Sequence, residues 1–151
     1  MLDSFREAVR RVESGERDLI KEINEFYLRN SPVHRYIGLE LLDIKRGYAK
    51  FKFRYKREIT RIGGMIHGGI IASVIDQVGG IASMTAHESP NQVTMELKIN
   101  FLRPLTKDNE PYIAEAEVLR SGSRTIVTIV KIYDVENKIS AVGLGTWFRL
   151  D

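Results

Sequence analysis

The sequence predicts an α+β domain: one long central helix wrapped by a curved antiparallel sheet, with an extra helical segment at the N-terminus. Three observations carry this. Apolar residues recur at helical intervals over about the first thirty positions, a continuous apolar run follows a glycine-rich stretch, and the second half alternates apolar with polar residues. The 151 residues, 43% of them hydrophobic, suffice for one compact domain with its own core. No internal repeat or low-complexity segment interrupts the order.

At the N-terminus, Ser4 and Glu7 stand at capping-box spacing, and Leu2, Phe5, Val9 and Val12, then Leu19, Ile23, Phe26 and Tyr27, recur on one helical face. The segment is predicted helical, interrupted near Ser14 and Gly15 and stopped by Ser31 and Pro32. Its charges are mixed, unlike the cationic face of a membrane-surface helix, so its stripe is expected to cover the rest of the domain. From Tyr36 the period changes. Ala49, Phe51, Phe53 and Tyr55 alternate with Lys50, Lys52 and Arg54 as a half-exposed strand, preceded by room for one more.

Next come Gly63-Gly64-Met65-Ile66-His67-Gly68-Gly69 and an apolar run from Ile70 to Met84, a helix of about five turns ending near Ala86. Val93, Met95, Leu97, Ile99 and Phe101 then alternate with Thr94, Glu96, Lys98 and Asn100 up to Arg103 and Pro104, a long strand. Tyr112, Ala114, Ala116 and Val118 oppose Glu115 and Glu117 in another. Ser121-Gly122-Ser123 turns the chain into residues 125–133, a run too continuously apolar to be exposed on one face. Residues 134–138 turn it once more, and 139–148 close the sheet.

The glycine-rich stretch with Asp76 is the strongest functional signal. The glycines sit at a helix start, where the first N–H groups lack intrahelical partners and the dipole is positive, so a polarised carbonyl or oxyanion is welcome. Asp76 lies on an otherwise apolar helix, where an unpartnered carboxylate is costly, and is a candidate base. Gly69 and Asp76 share a helix face but stand roughly 10 Å apart, too far for one reacting carbonyl to touch both. If they cooperate, the simplest arrangement pairs the helix start of one copy with the carboxylate of a second: an isologous homodimer with two composite sites. The same residues admit a structural reading, in which the glycines only turn the chain and Asp76 is a buried, hydrogen-bonded group. A membrane-spanning reading of residues 66–86 fails on His67, Asp76 and Gln77 and on the lack of basic flanks.

Composition narrows the classes further. The balance of 23 basic and 20 acidic residues is spread along the chain and does not point to nucleic acid. With no cysteine, disulfides, thiolate catalysis and cysteine-bound metals are excluded, and a cytoplasmic protein is expected. Residues 1–11 are charged and lack the apolar core of a secretory signal. No nucleophile elbow, zinc helix, P-loop or dinucleotide loop is present. His34, His67 and His87 have no metal-ligand spacing, so no metal and no cofactor is expected, and His34 and His87 are read as surface or loop residues.

His67-Gly68-Gly69 with Asp76 nine positions after the histidine resembles the H-G-G-x6-D signature of hotdog-fold thioesterases, specifically the phenylacetate-pathway (PaaI-like) acyl-CoA thioesterases. The strand Val93 onward to Pro104 and the hairpin Arg120-Ser121-Gly122-Ser123-Arg124 resemble the same family's. The likeness covers roughly residues 33–148, so residues 1–32 are a helical extension and 33–151 the hotdog thioesterase domain. It implies a helix inside an antiparallel sheet, edge-to-edge dimers that often pair into homotetramers, and acyl-CoA thioester hydrolysis with no cofactor beyond the coenzyme A of the substrate. It also implies roles: Asp76 as base or nucleophile, the Gly69 N–H as oxyanion donor, His67 polarising the thioester and Thr94 positioning water. Gly68, Arg61, Arg103, Arg120, Gly122 and Arg124 would bind substrate, the arginines meeting its anionic tail. One position departs from the family: Arg61 stands where an asparagine is usual. That departure favours an alternative, an acyl-CoA-binding module without turnover. A hydratase is a second alternative, but its histidine would follow the aspartate rather than precede it.

Overall fold

The computed structural model describes residues 2–151, with side chains from Ser4 onward. Helix α1 (Leu2–Glu13) and helix α2 (Leu19–Asn30) are separated by a turn at Ser14 and Gly15. Phe5, Val9, Val12 and Ile23 of the predicted stripe are buried, while Leu2 lies outside the described side chains. Ser4 sits inside α1 and not at its cap, so the capping-box reading fails: the helix already includes Leu2. Ser31 and Pro32 end α2 as expected, but Pro32 also opens a short helix α3 (Pro32–Ile37), because proline's fixed φ suits the first helical turn.

Strands β1 (Glu40–Lys45) and β2 (Tyr48–Phe53) form a hairpin; Tyr55 falls beyond β2. The central helix α4 (Gly68–Thr85) follows, then β3 (Asn91–Phe101), β4 (Tyr112–Ser121), β5 (Thr125–Tyr133) and β6 (Ile139–Leu150). All six strands form one antiparallel sheet in the order β1-β2-β4-β5-β6-β3. The concave face closes on α4, whose Val74, Ile75 and Val78 are fully buried against Phe51, Ala114, Ala116 and Val130. Close approach is built into the sequence. The Trp147 indole fills the space a Cβ would need at both Gly79 and Gly145, and a Cβ at Gly143 would lie 2.5 Å from Ile75.

Two strands with the same sequence pattern behave differently. In β2 the residues Ala49, Phe51 and Phe53 are all at most 1% exposed. In β3, an edge strand, Val93, Met95 and Phe101 remain 47%, 61% and 55% exposed, and only Leu97 and Ile99 reach the core. Every residue of β5 is buried or half-buried, as its continuous apolarity predicts.

The expectation for two histidines is overturned. His34 and His87 are buried, at 0% and 3% exposure. Helix α3 inserts His34 between Tyr27, on which it stacks at 5.3 Å, and Phe51, which it meets edge-on at 5.4 Å. His87, just past α4, turns inward to Gln92. Among the described residues no helix is long and apolar enough to cross a membrane.

Candidate active site

The start of α4 is fixed by the turn before it. Gly63 and Gly64 take φ values of 95° and 74°, a region that side chains disfavour, and so let Arg61 close on Met65 through a backbone bond of 2.9 Å. Ile66 N–H then bonds Leu105 O and His67 N–H bonds Ile59 O, both at 2.9 Å, anchoring the residue that caps the helix. The His67 side chain is that cap: its Nδ1 accepts the Gly69 N–H at 2.9 Å. Acceptance at Nδ1 leaves the ring proton on Nε2. The Gly69 N–H, expected to face a substrate oxygen, is therefore engaged by His67. Among the described residues the Gly68 N–H has no hydrogen-bond partner.

Gly68 borders a cleft of about 290 Å³ with Arg61, Ile71, Phe101 and Arg103. Arg61 folds onto its own turn, donating to Ile62 O at 2.7 Å, and Arg103 donates to Ile139 O at 2.9 Å. Among the described residues these are the only cations lining that cleft, so its positive charge comes from two arginines and a helix start.

Asp76 belongs to a second cleft, of about 270 Å³, bordered by Tyr27, Gln77, Ile81, Met84, Thr94 and Trp147 among others. Its Oδ1 accepts the Thr94 hydroxyl at 2.6 Å, which joins α4 to the edge strand. The two clefts share no lining residue. His67 and Asp76, nine residues apart, are separated by about 13 Å along the helix. The protomer thus does not bring His67, Gly68 and Gly69 together with Asp76 and Thr94.

Beneath Asp76 lies a polar network that sequence reasoning missed. Gln92 Nε2 donates to Gly80 O at 2.7 Å, and Gln92 Oε1 accepts the Ser83 hydroxyl at 2.7 Å and His87 Nε2 at 3.0 Å. His87 Nδ1 accepts the Ser89 N–H at 3.1 Å, so every polar group of the network has its partner. Burial lowers the His87 pKa, keeping the ring neutral as this pattern requires. Gln92 stands two positions before Thr94, on the same side of β3, and alternation could have revealed it. Tyr27 reaches the cleft from α2, which nothing local in the sequence signals.

The hairpin residues Arg120, Gly122 and Arg124 lie elsewhere. Ser121 donates to Ala86 O at 3.1 Å, which sets the hairpin beside the C-terminal end of α4. That end is about 27 Å from the helix start in the same protomer. Among the described residues no group of three or more His, Asp or Glu side chains is placed to hold a metal ion.

Comparison with known proteins places these residues in context. A family model described as the thioesterase superfamily matches residues 63–141, the span from the glycine turn to β6. A provisionally assigned esterase of Saccharolobus solfataricus is 40% identical, over 88% of this chain and 94% of its own. The Escherichia coli medium/long-chain acyl-CoA thioesterase YigI is 25% identical, over 85% of this chain and 92% of YigI. Among solved structures, the E. coli PaaI protein from the phenylacetic acid degradation operon shares the fold, with a TM-score of 0.77 at 20% identity over 87% of this chain and 94% of PaaI.

Proposed function

The chain belongs to the thioesterase superfamily, and from that premise we propose that it hydrolyses acyl-CoA thioesters to the free acid and coenzyme A at sites shared between two protomers. The observation that carries this reading is the separation of the two half-sites. One cleft offers the open Gly68 N–H and two arginines but no carboxylate, the other a carboxylate but no helix-start N–H. The strand that carries Thr94 is also an unpaired sheet edge with Val93, Met95 and Phe101 exposed, which is unusual for a free surface and suited to a second copy. Antiparallel pairing of two β3 strands about a two-fold axis would set the α4 start of one protomer against Asp76 of the other.

In this reading the Gly68 N–H stabilises the charge developing on the thioester oxygen, joined by the Gly69 N–H when the His67 ring turns toward the substrate. Asp76, its Oδ1 held by Thr94, takes a proton from water through Oδ2 as that water attacks the carbonyl carbon. The carbon–sulfur bond breaks and the proton passes to the departing thiolate. Arg61 and Arg103 meet the anionic tail beside the donors. Arg120, Gly122 and Arg124 would reach it only from the partner's hairpin. Two such dimers would cover the half-buried outer face of β5, giving a homotetramer.

The relative YigI, named for medium- and long-chain acyl-CoA, supports the substrate class. The test is thiol release from short, long and aromatic acyl-CoA esters by the wild type and Asp76→Ala, with solution mass measured in parallel. The chain has no cysteine and adds no background thiol. Hydrolysis lost in the variant is expected. Binding without hydrolysis of any ester would replace the enzyme by an acyl-CoA-binding module, and a monomer with full activity would remove the shared site.

A further inference from the structure

We infer that Tyr27, from the N-terminal helical extension, forms the wall that sets how long an acyl chain the Asp76 cleft accepts. The inference rests on the proposed thioesterase reading and adds its acyl specificity. Asp76, Gly80 and Met84 follow one another at intervals of four on α4, a stripe of about 12 Å. Gly80 has no side chain, and the Trp147 indole and Gln92 amide stand 3.2 and 3.5 Å from where its Cβ would be, so these two groups and not a side chain of α4 form the middle of the stripe. Ile81 lines it, Trp147 bounds it from the sheet, and Tyr27 bounds it from α2.

The Tyr27 ring is held by aromatic neighbours and not by its hydroxyl. It stacks on His34 with an interplanar angle of 22°, and it meets Phe5 and Phe26 edge-on with centroids at 5.9 and 5.6 Å. The hydroxyl has no hydrogen-bond partner among the described residues, so the ring body defines the wall. Three aromatic contacts make that wall rigid, and a rigid wall discriminates chain length where a mobile one would yield.

The experiment measures kcat/KM across straight-chain acyl-CoA esters of increasing length for the wild type, Tyr27→Phe, Tyr27→Ala and Tyr27→Trp, with thermal midpoint and solution mass for each. Tyr27→Ala should move the optimum longer by roughly two methylenes and raise the long-to-short ratio of kcat/KM roughly tenfold. Tyr27→Trp keeps the ring packing and should move it shorter, while Tyr27→Phe should reproduce the wild-type profile. Coincident profiles in folded Ala and Trp variants would overturn the inference; should Ala not fold, an unshifted Trp profile does so alone. If the wild type hydrolyses no ester, the thioesterase reading itself has failed, a result distinct from either.

Discussion

The two clefts along α4 are nearly equal in size, about 290 and 270 Å³, yet they are made of different material. The one at the helix start is assembled from main chain: a turn with two positive-φ glycines, a histidine cap and an open N–H, with two arginines at its rim. The one at Asp76 is assembled from side chains, each locked by another, from Thr94 on the carboxylate to Gln92, Ser83 and His87 below it. The first can receive negative charge but cannot move a proton from water. The second can move a proton but has no open helix-start N–H of its own. In the proposed reading, a chain that divides its chemistry in this way works as a pair of protomers.

The contrast breaks most sharply at Asp76. Replacement by alanine should lower kcat by about 10³-fold, as expected for loss of a general base, with the dimer intact by size-exclusion chromatography. Wild-type turnover in that variant would reduce the second cleft to a structural feature. Mixing Asp76→Ala with Gly68→Pro protomers, which lack a donor at the other half-site, should then recover roughly a quarter of wild-type activity, since half the dimers are mixed and each holds one intact site. No recovery in verified mixed dimers would put both halves of the site in one chain.

A smaller effect is expected at the other cleft. Gly68→Pro removes one donor at a position where proline is well tolerated, the first residue of a helix, and His67 already has the extended ψ of 135° that a following proline demands. A Cβ there would meet Phe101 at an ordinary 3.6 Å. The thermal midpoint should stay put while kcat falls about 10²-fold, as for loss of one oxyanion-hole donor. An unchanged kcat would move the donor role to Gly69 alone.

The least effect on activity is expected from His34, behind the Tyr27 wall. Burial lowers its pKa from 6.5 to about 4, and neither ring nitrogen makes a hydrogen bond of normal geometry. Between those values the unfolded chain binds a proton that the folded chain refuses, so stability is complete above pH 6.5 and falls as the pH drops toward 4. The loss amounts to roughly 3 kcal/mol. His87, also lowered by burial, acts in the same direction. His34→Phe should keep the aromatic stack and flatten the fall of thermal midpoint with acidification, leaving activity at neutral pH unchanged.

Much of this was legible in the sequence, and what was not has a common cause. Periodicity located α4 and every long strand, and the seven-residue spacing of Gly69 and Asp76 already showed that the two stand too far apart to touch one reacting carbonyl in one chain. Alternation could not say what lies opposite a face: β2 and β3 read alike, yet the apolar face of β2 is wholly buried, while β3, at the sheet edge, reaches the core only at Leu97 and Ile99. His34 and His87 were misread for the same reason. A histidine carries no signal of burial until Tyr27, Phe51 and Gln92, distant in sequence or turned inward by a loop, are seen around it. The engagement of the Gly69 N–H by His67 was likewise invisible, because it depends on the backbone angle at the cap and not on residue type.

The indole of Trp147 occupies ground that would otherwise belong to two other residues. A methyl group at Gly79 would stand 2.5 Å from it, and one at Gly145 would overlap it. These three positions are therefore sterically coupled: a larger residue at either glycine requires a smaller one at 147, and a smaller one at 147 leaves a hollow beside Asp76 that the glycines cannot fill. Anyone seeking to reshape this enzyme for bulkier acids should treat the triplet as one site with three letters, to be exchanged together or left alone.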